Sequence, residues 1–253
     1  MIASMTQMGA ATLPTSKRGS IYGHVIDSLG IQIVSGNLPA GKTLFPEPQL
    51  ATDLGVSRGI LREAVKGLVS KGLLEIGPRT GTIVRPRSDW NFLDQDVLRW
   101  FSDVDRTSLF SNLTELRGTI EPGAAAIAAQ RATDDDRAEL TAAFARMQAS
   151  QNANPAEFIE ADVAFHGALL RACHNDLFIS LGNVLEFVLR GSFETSSNAP
   201  GAIRASLPQH GLILAAVVAA DPTSASSAAT RLITSAVHDL DVSVQTVDQA
   251  AVS

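Results

Sequence analysis

Three residues in the second half of the chain have the types and the spacing to hold a metal ion. Asp162 and His166 lie four residues apart, one helical turn, so that a carboxylate and an imidazole would share one helical face. His210 follows in a later predicted helix. Oxygen and nitrogen donors of this kind bind divalent ions such as Zn, Ni or Mn when they project from facing helices into a bundle core. The alternative for Asp162 and His166 is an ordinary polar pair on a helix surface.

A second group of residues carries positive charge nearer the N-terminus. Arg58, Arg62 and Lys66 are spaced by four and share one face of a predicted helix whose other face is apolar. A guanidinium can bond to both O6 and N7 of guanine, which is worth ~1–3 kcal/mol of discrimination. We expect Arg58, in the first turn, to reach base edges, with Arg62 one turn further along. Lys66 is expected to meet phosphate or solvent, and Glu63 to orient Arg62 or cap a neighbour.

The elements around these cations predict a winged helix-turn-helix. Gly55 forms the turn, and Ser57 suits the N-cap of the second motif helix because its hydroxyl can accept from a free backbone N–H. In chain order, the predicted elements are helices at Ile21–Val34, Glu47–Leu54 and Ser57–Gly72, strands at Leu73–Ile76 and Thr82–Val84, and a hairpin tip at Gly77–Gly81.

The remainder of the chain is predicted to be helical throughout, because Ala is abundant and strand-like alternation is absent. Six or seven helices of ~12–25 residues would pack as an antiparallel bundle. The fold class is therefore mainly α, an N-terminal winged helix-turn-helix followed by a C-terminal all-α antiparallel helical bundle. The predicted breaks between its helices fall at Thr133–Asp136, Asn152–Pro155, His174–Asp176, Ser196–Gly201 and Asp221–Pro222.

The charge distribution is uneven along the chain, although the net charge is −6. Residues 1–88 hold ten Lys and Arg against five Asp and Glu, whereas the rest holds ten against 21. A basic head on an acidic body indicates nucleic-acid binding at one end, and chance clustering is the alternative. The single Cys173 fits a reducing cytoplasm, and the sequence shows neither a membrane-spanning run nor a signal peptide.

The predicted organisation has five parts. A tail (1–18) precedes the winged head (19–86), a linker or docking helix (87–106), the helical body (107–245) and a second tail (246–253). The linker contains Trp90, Phe92 and Trp100, which is too apolar for a free connection. We therefore expect it to dock the head onto the body or onto a second subunit.

Several segments of the head follow a known pattern. They are Leu38-Pro-Ala-Gly41, Glu47, Leu50-Ala51, Gly55-Val-Ser-Arg58, Leu61-Arg-Glu-Ala64, Leu68, Lys71-Gly-Leu73 and Gly81. This pattern resembles the Gnt repressor (GntR) family of bacterial transcription factors. The resemblance implies DNA contacts from the recognition helix and the wing, namely Ser57, Arg58, Arg62, Arg79, Thr80 and Gly81. Pro48 stands where members usually carry an Arg, so this chain lacks that side chain for a phosphate or base contact.

The body has its own pattern. It runs through Glu115-Leu-Arg117, Ile120-Glu121-Pro122, Arg131-Ala132, Asp162-x-x-Phe-His166 and His210. It resembles the all-helical effector domain, the FCD type, of the fatty-acid-regulator (FadR) subfamily. In many members an Asp and three His hold a divalent metal and a small organic acid binds beside it. The resemblance implies Asp162, His166 and His210 as ligands, whereas Leu232 occupies the place of the last His. His238, six positions later, would lie ~240° around the helix and is expected to face solvent or to lie near the chain end, with metal ligation as the alternative.

The linker pattern and Arg190 are similar to those of galactonate-responsive members of the family. This implies that the effector is a sugar acid such as galactonate or gluconate, chelating through its carboxylate and 2-hydroxyl. Arg117 would offer its planar fork to the carboxylate. Arg190 would be an effector contact or, alternatively, a structural partner of Glu186 or Glu194.

These expectations combine into one hypothesis about function. A bacterial cytoplasmic homodimer binds a palindromic operator through two winged heads and is released, as a repressor, when the small organic acid binds in the bundle. A metal-dependent enzyme using Asp162, His166 and His210 is the alternative, but no acid or base partner is evident beside them. A constitutive DNA-binding protein with an inert body is a third possibility.

Overall fold

The computed structural model describes residues 20–78, 80–152, 155–196 and 202–251, without the side chains of 183, 188, 191–196, 202–205 and 237–251. The chain divides into two compact units, Met1–Val104 and Asp105–Ser253. The first contains helices α1 (Ile21–Val34), α2 (Glu47–Asp53), α3 (Arg58–Ser70) and α4 (Gln95–Val104), and strands β1 (Leu74–Gly77) and β2 (Gly81–Val84). The second contains α5 (Arg106–Arg131), α6 (Asp134–Ser150), α7 (Pro155–Arg171), α8 (Asp176–Ser196), α9 (Ala202–Val218) and α10 (Pro222–Ala251). The predicted fold class is confirmed.

Helix α3 packs on the core of the first unit through its apolar face. Leu61 and Leu68 are fully buried, and they pack in one core with Ile26 and Leu29 of α1. The Ser57 hydroxyl accepts from the backbone N–H of Ile60 at 3.3 Å, which is the expected N-cap bond. The polar face of α3 is therefore left exposed along the length of the helix.

The wing is an antiparallel pair of short strands. Its register runs from Leu74 opposite Val84 to Gly77 opposite Gly81. The segment before α2 adds a short third edge, because Thr43 bridges to Ile83 and the N–H of Leu44 donates to the carbonyl of Thr82 at 2.8 Å. The wing is thus tied to the segment that precedes α2.

The linker helix α4 packs on the first unit. Trp100 is fully buried, and its indole N–H donates to Asp27 of α1 at 2.9 Å. Gly30 of α1 lies directly beneath the ring. The linker therefore belongs to the first compact unit, which ends after Val104. The linker was expected to dock the head onto the body or onto a second subunit, whereas the contacts described for α4 are with α1 of the head itself.

We expect Gly30→Ala to destabilise the first unit. A Cβ at Gly30 would lie 2.6 Å from the Trp100 ring, and overpacking of this kind costs ~1–3 kcal/mol. Gly59→Ala in α3 is the matched control, because only Ser57 Oγ at 3.9 Å would approach its Cβ, and the gain in helix propensity is ~1 kcal/mol. The unfolding temperature should fall in Gly30→Ala and rise in Gly59→Ala. Equal shifts would mean that Trp100 of α4 does not pack closely on α1.

The second unit is an Ala-rich helical bundle. Its core packs Ala124 and Ala128 of α5 against Phe158 and Phe165 of α7. The described helices begin and end at or next to the predicted breaks, and α10 continues to Ala251, past the predicted start of the tail at 246. Residues 223–251 contain neither Gly nor Pro, which explains why the helix extends this far. In the described part of the chain, no helix has the length and apolarity required to cross a bilayer.

Candidate functional site

The cations on the exposed face of α3 differ in whether they have a partner. Arg58, the first residue of the helix, is exposed, and within the described residues its side chain has no ion pair or hydrogen bond. Arg62 is also exposed, but Glu47 of α2 accepts from its Nη2 at 3.0 Å and its Nε at 3.3 Å. The hydrogen bond to Glu47 raises the pKa of Arg62. Arg58 is therefore free to approach a ligand, whereas Arg62 is already oriented.

The role expected for Glu63 is corrected by these contacts. Glu63 accepts from Lys66 at 2.9 Å and does not contact Arg62. Neighbouring residues on a helix point ~100° apart, whereas residues three apart share a face. The residue that orients Arg62 is Glu47, which sequence spacing could not reveal because it lies on another helix.

The wing tip lies at one end of the β-hairpin. Thr80 and Gly81 are exposed, and Gly81 adopts φ +76°, a conformation that favours glycine. Arg79, the predicted cation of the tip, lies outside the described residues. Arg85 and Arg87, at the exit of the wing, have structural partners. Arg85 pairs with Asp89 at 2.8 Å, and the Arg87 guanidinium lies 4.4 Å from the ring centroid of Phe101.

Asp162, His166 and His210 converge in the second unit, as the sequence predicted. All three are about 2% exposed, so a surface pair is excluded. The Nε2 atoms of His166 and His210 are 3.2 Å apart. Asp162 Oδ1 lies 3.0 Å from His210 Nε2, and Asp162 Oδ2 lies 3.9 Å from His166 Nε2. The ligand atoms of the three residues form one compact group.

The outer ring nitrogens of the two histidines face acceptors. Nδ1 of His210 lies 2.9 Å from the carbonyl oxygen of Ser206. Nδ1 of His166 lies 3.0 Å from Glu121 Oε2, although the contact is not aligned as a hydrogen bond. A neutral histidine that places its proton at Nδ1 presents a lone pair at Nε2. Both lone pairs then face each other and the Asp162 carboxylate, which is repulsive unless a proton or a cation lies among them.

This donor set fits a divalent metal. Bonds of ~2.0–2.1 Å to imidazole or carboxylate place neighbouring ligand atoms ~2.9–3.4 Å apart, and two of the three separations lie in that range. Outer acceptors on both histidines are the usual support of metal-binding imidazoles. Burial raises the pKa of Asp162, but its close contact with His210 and the positive charge of Arg117 outweigh burial. The pKa is therefore held below its usual value, and the carboxylate stays ionised.

Glu121 is a site residue that sequence reasoning did not identify. It is 2% exposed and accepts from Nε of Arg117 at 2.5 Å, while its other oxygen faces His166. Burial raises the pKa of Glu121, but the charges of Arg117 and His166 outweigh it and hold the pKa well below its usual range. In the sequence, Glu121 could have been identified by its position four residues after Arg117, which places the two side chains on one helical face. The Arg117 guanidinium, which was expected to bind the effector, therefore already donates to the carboxylate of Glu121.

A pocket of about 260 Å³ lies between α7 and α8, beside the histidine cluster. Its lining includes His166, Gly167, Arg171, Gly182 and Glu186. His166 is the single predicted effector residue in the described lining, which does not include Arg117, Asp162 or His210.

Arg190 is not part of the described lining of this pocket, but it pairs with a residue that is. It pairs with Glu160 and with Glu186, a pocket residue, at 2.9 Å. The hydrogen bond to Glu160 raises the pKa of Arg190. The alternative interpretation of Arg190, a salt bridge with Glu186, therefore describes its contacts.

The position of the fourth ligand expected from the resemblance is apolar. Leu232 is 5% exposed and belongs to the core of the bundle. The His238 side chain lies outside the described part of the structure. Three residues that could hold a metal ion are therefore present, and a set of three would leave coordination positions for water or a bound acid.

Comparisons with known proteins agree with both units. Residues 21–84 match the family described as bacterial regulatory proteins, gntR family, and residues 112–235 match the FCD domain. The galactonate operon transcriptional repressor of Escherichia coli (strain K12) is 34% identical over 222 residues, covering 85% of this chain and 95% of that protein. The putative L-lactate dehydrogenase operon regulatory protein of the same organism is 33% identical over 211 residues, covering 81% and 80%.

A solved structure supports the same assignment. The Streptococcus agalactiae GntR protein superposes with a TM-score of 0.51 and 28% identity, over 86% of this chain and 99% of that one. The matched families and relatives are regulators of transcription, so the enzymatic alternative is not supported. The chain is a transcriptional regulator that belongs to the GntR family and carries an FCD domain.

Proposed function

We propose that this protein is a repressor of sugar-acid metabolism that an acid such as galactonate or gluconate releases from its operator. The observation that carries the proposal is the buried group of Asp162, His166 and His210 beside a pocket. Similarity to a galactonate operon repressor supports the class of effector. We further propose that the protein acts as a homodimer on a palindromic operator in the bacterial cytoplasm.

The DNA contacts are proposed for the exposed face of α3 and the wing tip. Arg58 reads base edges from the first turn of α3, and Arg62, held by Glu47, reads one turn further along. Contacts to the phosphate backbone of the DNA, which position the protein on it, are proposed for Ser57, Lys66, Arg79, Thr80 and Gly81. Phosphate contacts supply salt-dependent affinity, and the guanidinium groups supply sequence discrimination.

The metal site is proposed for Asp162, His166 and His210. A bound Zn, Ni or Mn ion would supply a Lewis-acid position for a carboxylate and its 2-hydroxyl. The Glu121 carboxylate faces Nδ1 of His166 and the carbonyl of Ser206 faces Nδ1 of His210, so both outer nitrogens lie beside acceptors and both Nε2 atoms point into the cluster.

The acid is proposed to occupy the pocket between α7 and α8, beside His166. Arg190 pairs with Glu186, which lines this pocket, so an anion entering there would compete with Glu186 for the guanidinium. Arg117 lies behind Glu121 and contributes positive charge at the buried end of the site. An acid that binds more tightly to one arrangement of the bundle shifts the protein toward it by the difference in binding free energy.

We expect galactonate or gluconate to release the protein from DNA upstream of the operon that it controls. The measurement is a gel-shift titration against a panel of sugar acids, with metal-loaded and chelator-treated protein. Coupling energies of regulators are ~1–3 kcal/mol, so operator affinity should fall by roughly 5–150-fold.

The panel contains its own controls. A sugar alcohol of the same length lacks the carboxylate and should have no effect, and chelator treatment should abolish the response to the acid. Release by the alcohol, or no release by any sugar acid, would disprove this assignment of the effector. A saturable response to a different hydroxy acid would correct its identity within the same class.

A further inference from the structure

Residues 71–73 connect the two DNA-reading elements of the head, and we call them the hinge. Lys71 caps α3, and β1 of the wing begins at Leu74. Gly72 adopts φ +78°, which turns the chain sharply. The conformation of the hinge therefore sets the angle between the recognition helix and the wing.

The segment that follows the wing lies directly against this hinge. The backbone N–H of Asn91 donates to the carbonyl of Lys71 at 2.9 Å. A Cβ at Gly72 would come within 2.2 Å of the carbonyl oxygen of Asp89, so only glycine allows the two backbones to approach this closely. Residues 89–91 therefore support the hinge from outside.

The Lys71 side chain is clamped by the start of α4. Its Nζ lies 2.8 Å from both oxygens of Asp94 and 2.8 Å from Asp96 Oδ2. The side chain is only 13% exposed. Burial lowers the pKa of Lys71, but its two carboxylate partners outweigh burial and raise it, so the ammonium stays charged.

The other end of α4 is anchored to α1. Arg99 Nη2 lies 2.6 Å from Asp27 Oδ1 and 3.4 Å from Asp96 Oδ1. The Trp100 indole donates to the same oxygen of Asp27. Asp96 thus joins Lys71 and Arg99 into one connected group of charges that spans α1, the hinge and α4.

We propose that Lys71 and Asp27 are positioning residues for operator recognition, which clamp α4 to the hinge and so hold α3 and the wing at one angle. Neither residue is among the proposed DNA contacts. These hydrogen-bonded charges are partly buried, and they define one geometry because a shift of α4 would leave a charge without its partner.

The length of α3 makes this angle important. Its 13 residues span ~20 Å, so a tilt of ~3° at the hinge moves Arg58 at the far end by ~1 Å. Hydrogen bonds to base edges tolerate only a few tenths of an ångström. Attraction to phosphates falls off gradually with distance and tolerates the same shift. Loosening the clamp should therefore weaken specific binding more than non-specific binding.

The test compares Lys71→Met and Lys71→Arg with the unaltered full chain. Each protein is titrated by fluorescence anisotropy, at several salt concentrations, with two duplexes of equal length. One duplex is the operator selected by the unaltered chain from a random pool, and the other is unrelated in sequence. Arg137→Gln, which removes an exposed ion pair on α6, is the matched control for loss of a positive charge.

A misplaced bidentate base contact forfeits ~1–3 kcal/mol, so Lys71→Met should lose about 10–100-fold in affinity for the operator. Its affinity for the unrelated duplex should stay within about twofold, with an unchanged salt slope. Lys71→Arg should restore most of the loss, and Arg137→Gln should behave as the unaltered chain. Thermal unfolding checks the fold, and Asp27→Asn, which keeps an acceptor for Trp100, replaces Lys71→Met if that variant does not fold.

Three results would overturn the proposal. Unchanged operator affinity in Lys71→Met would remove any positioning role. Equal losses on both duplexes, or a salt slope smaller by about one for each head, would make Lys71 a phosphate contact. Loss without recovery in Lys71→Arg would show that the clamp does not act through charge. The inference rests on the proposed DNA contacts of α3, but no sugar acid enters the test, so a wrong effector would leave its result intact.

Discussion

Arg58→Ala is expected to abolish specific operator binding. Arg58 is the one cation at the start of α3 that the described structure leaves without a partner, so its fork is available for a guanine edge. Loss of a bidentate contact costs ~1–3 kcal/mol in each head, or roughly 30-fold or more when both heads of a dimer are affected. Footprinting and anisotropy on the selected operator measure the effect.

Lys66→Ala is the control for this result. Lys66 pairs with Glu63 and is proposed to meet phosphate, so its removal should weaken binding uniformly across sequences and lower the salt slope by about one for each head. Metal and effector binding, which lie in the second unit, should be unchanged in both variants. A footprint that persists in Arg58→Ala would show that another residue reads the operator.

His166→Ala is expected to remove metal binding from the purified protein. The variant leaves only Asp162 and His210 as protein ligands, and it removes the imidazole that faces Glu121. Metal content after dialysis and calorimetric titration measure the loss. A metal at 1,000 times its dissociation constant stabilises the folded state by ~4 kcal/mol, so chelation should also lower the unfolding temperature of the unaltered chain but not that of the variant.

Two further variants separate the ligands from their surroundings. Glu121→Gln keeps the shape of the side chain but removes the charge facing His166, and such outer partners contribute about 10–100-fold to metal affinity. His174→Ala removes an exposed histidine that pairs with Asp136 at 2.8 Å, and it should bind metal normally. Full metal content in His166→Ala, or equal losses in His166→Ala and His174→Ala, would rule out the buried cluster as the metal site.

The predictions from the sequence were most accurate where one local pattern sufficed. Apolar spacing located α1 and α3, and the Ser57 cap and the Gly55 turn placed the start of the recognition helix. The spacing of Asp162 and His166 put them on one face. These features depend on residues within one or two helical turns of each other, for which helix geometry alone determines the neighbours.

The sequence by itself determined a basic winged head, a helical body and the three residues that could bind a metal. Only the tertiary structure decided which partners those residues have. Glu47 reaches Arg62 from another helix, Glu121 faces His166 from α5, and the linker helix joins the head. Such contacts depend on how helices cross and on which rotamers the packed core permits, and spacing along one chain does not encode either.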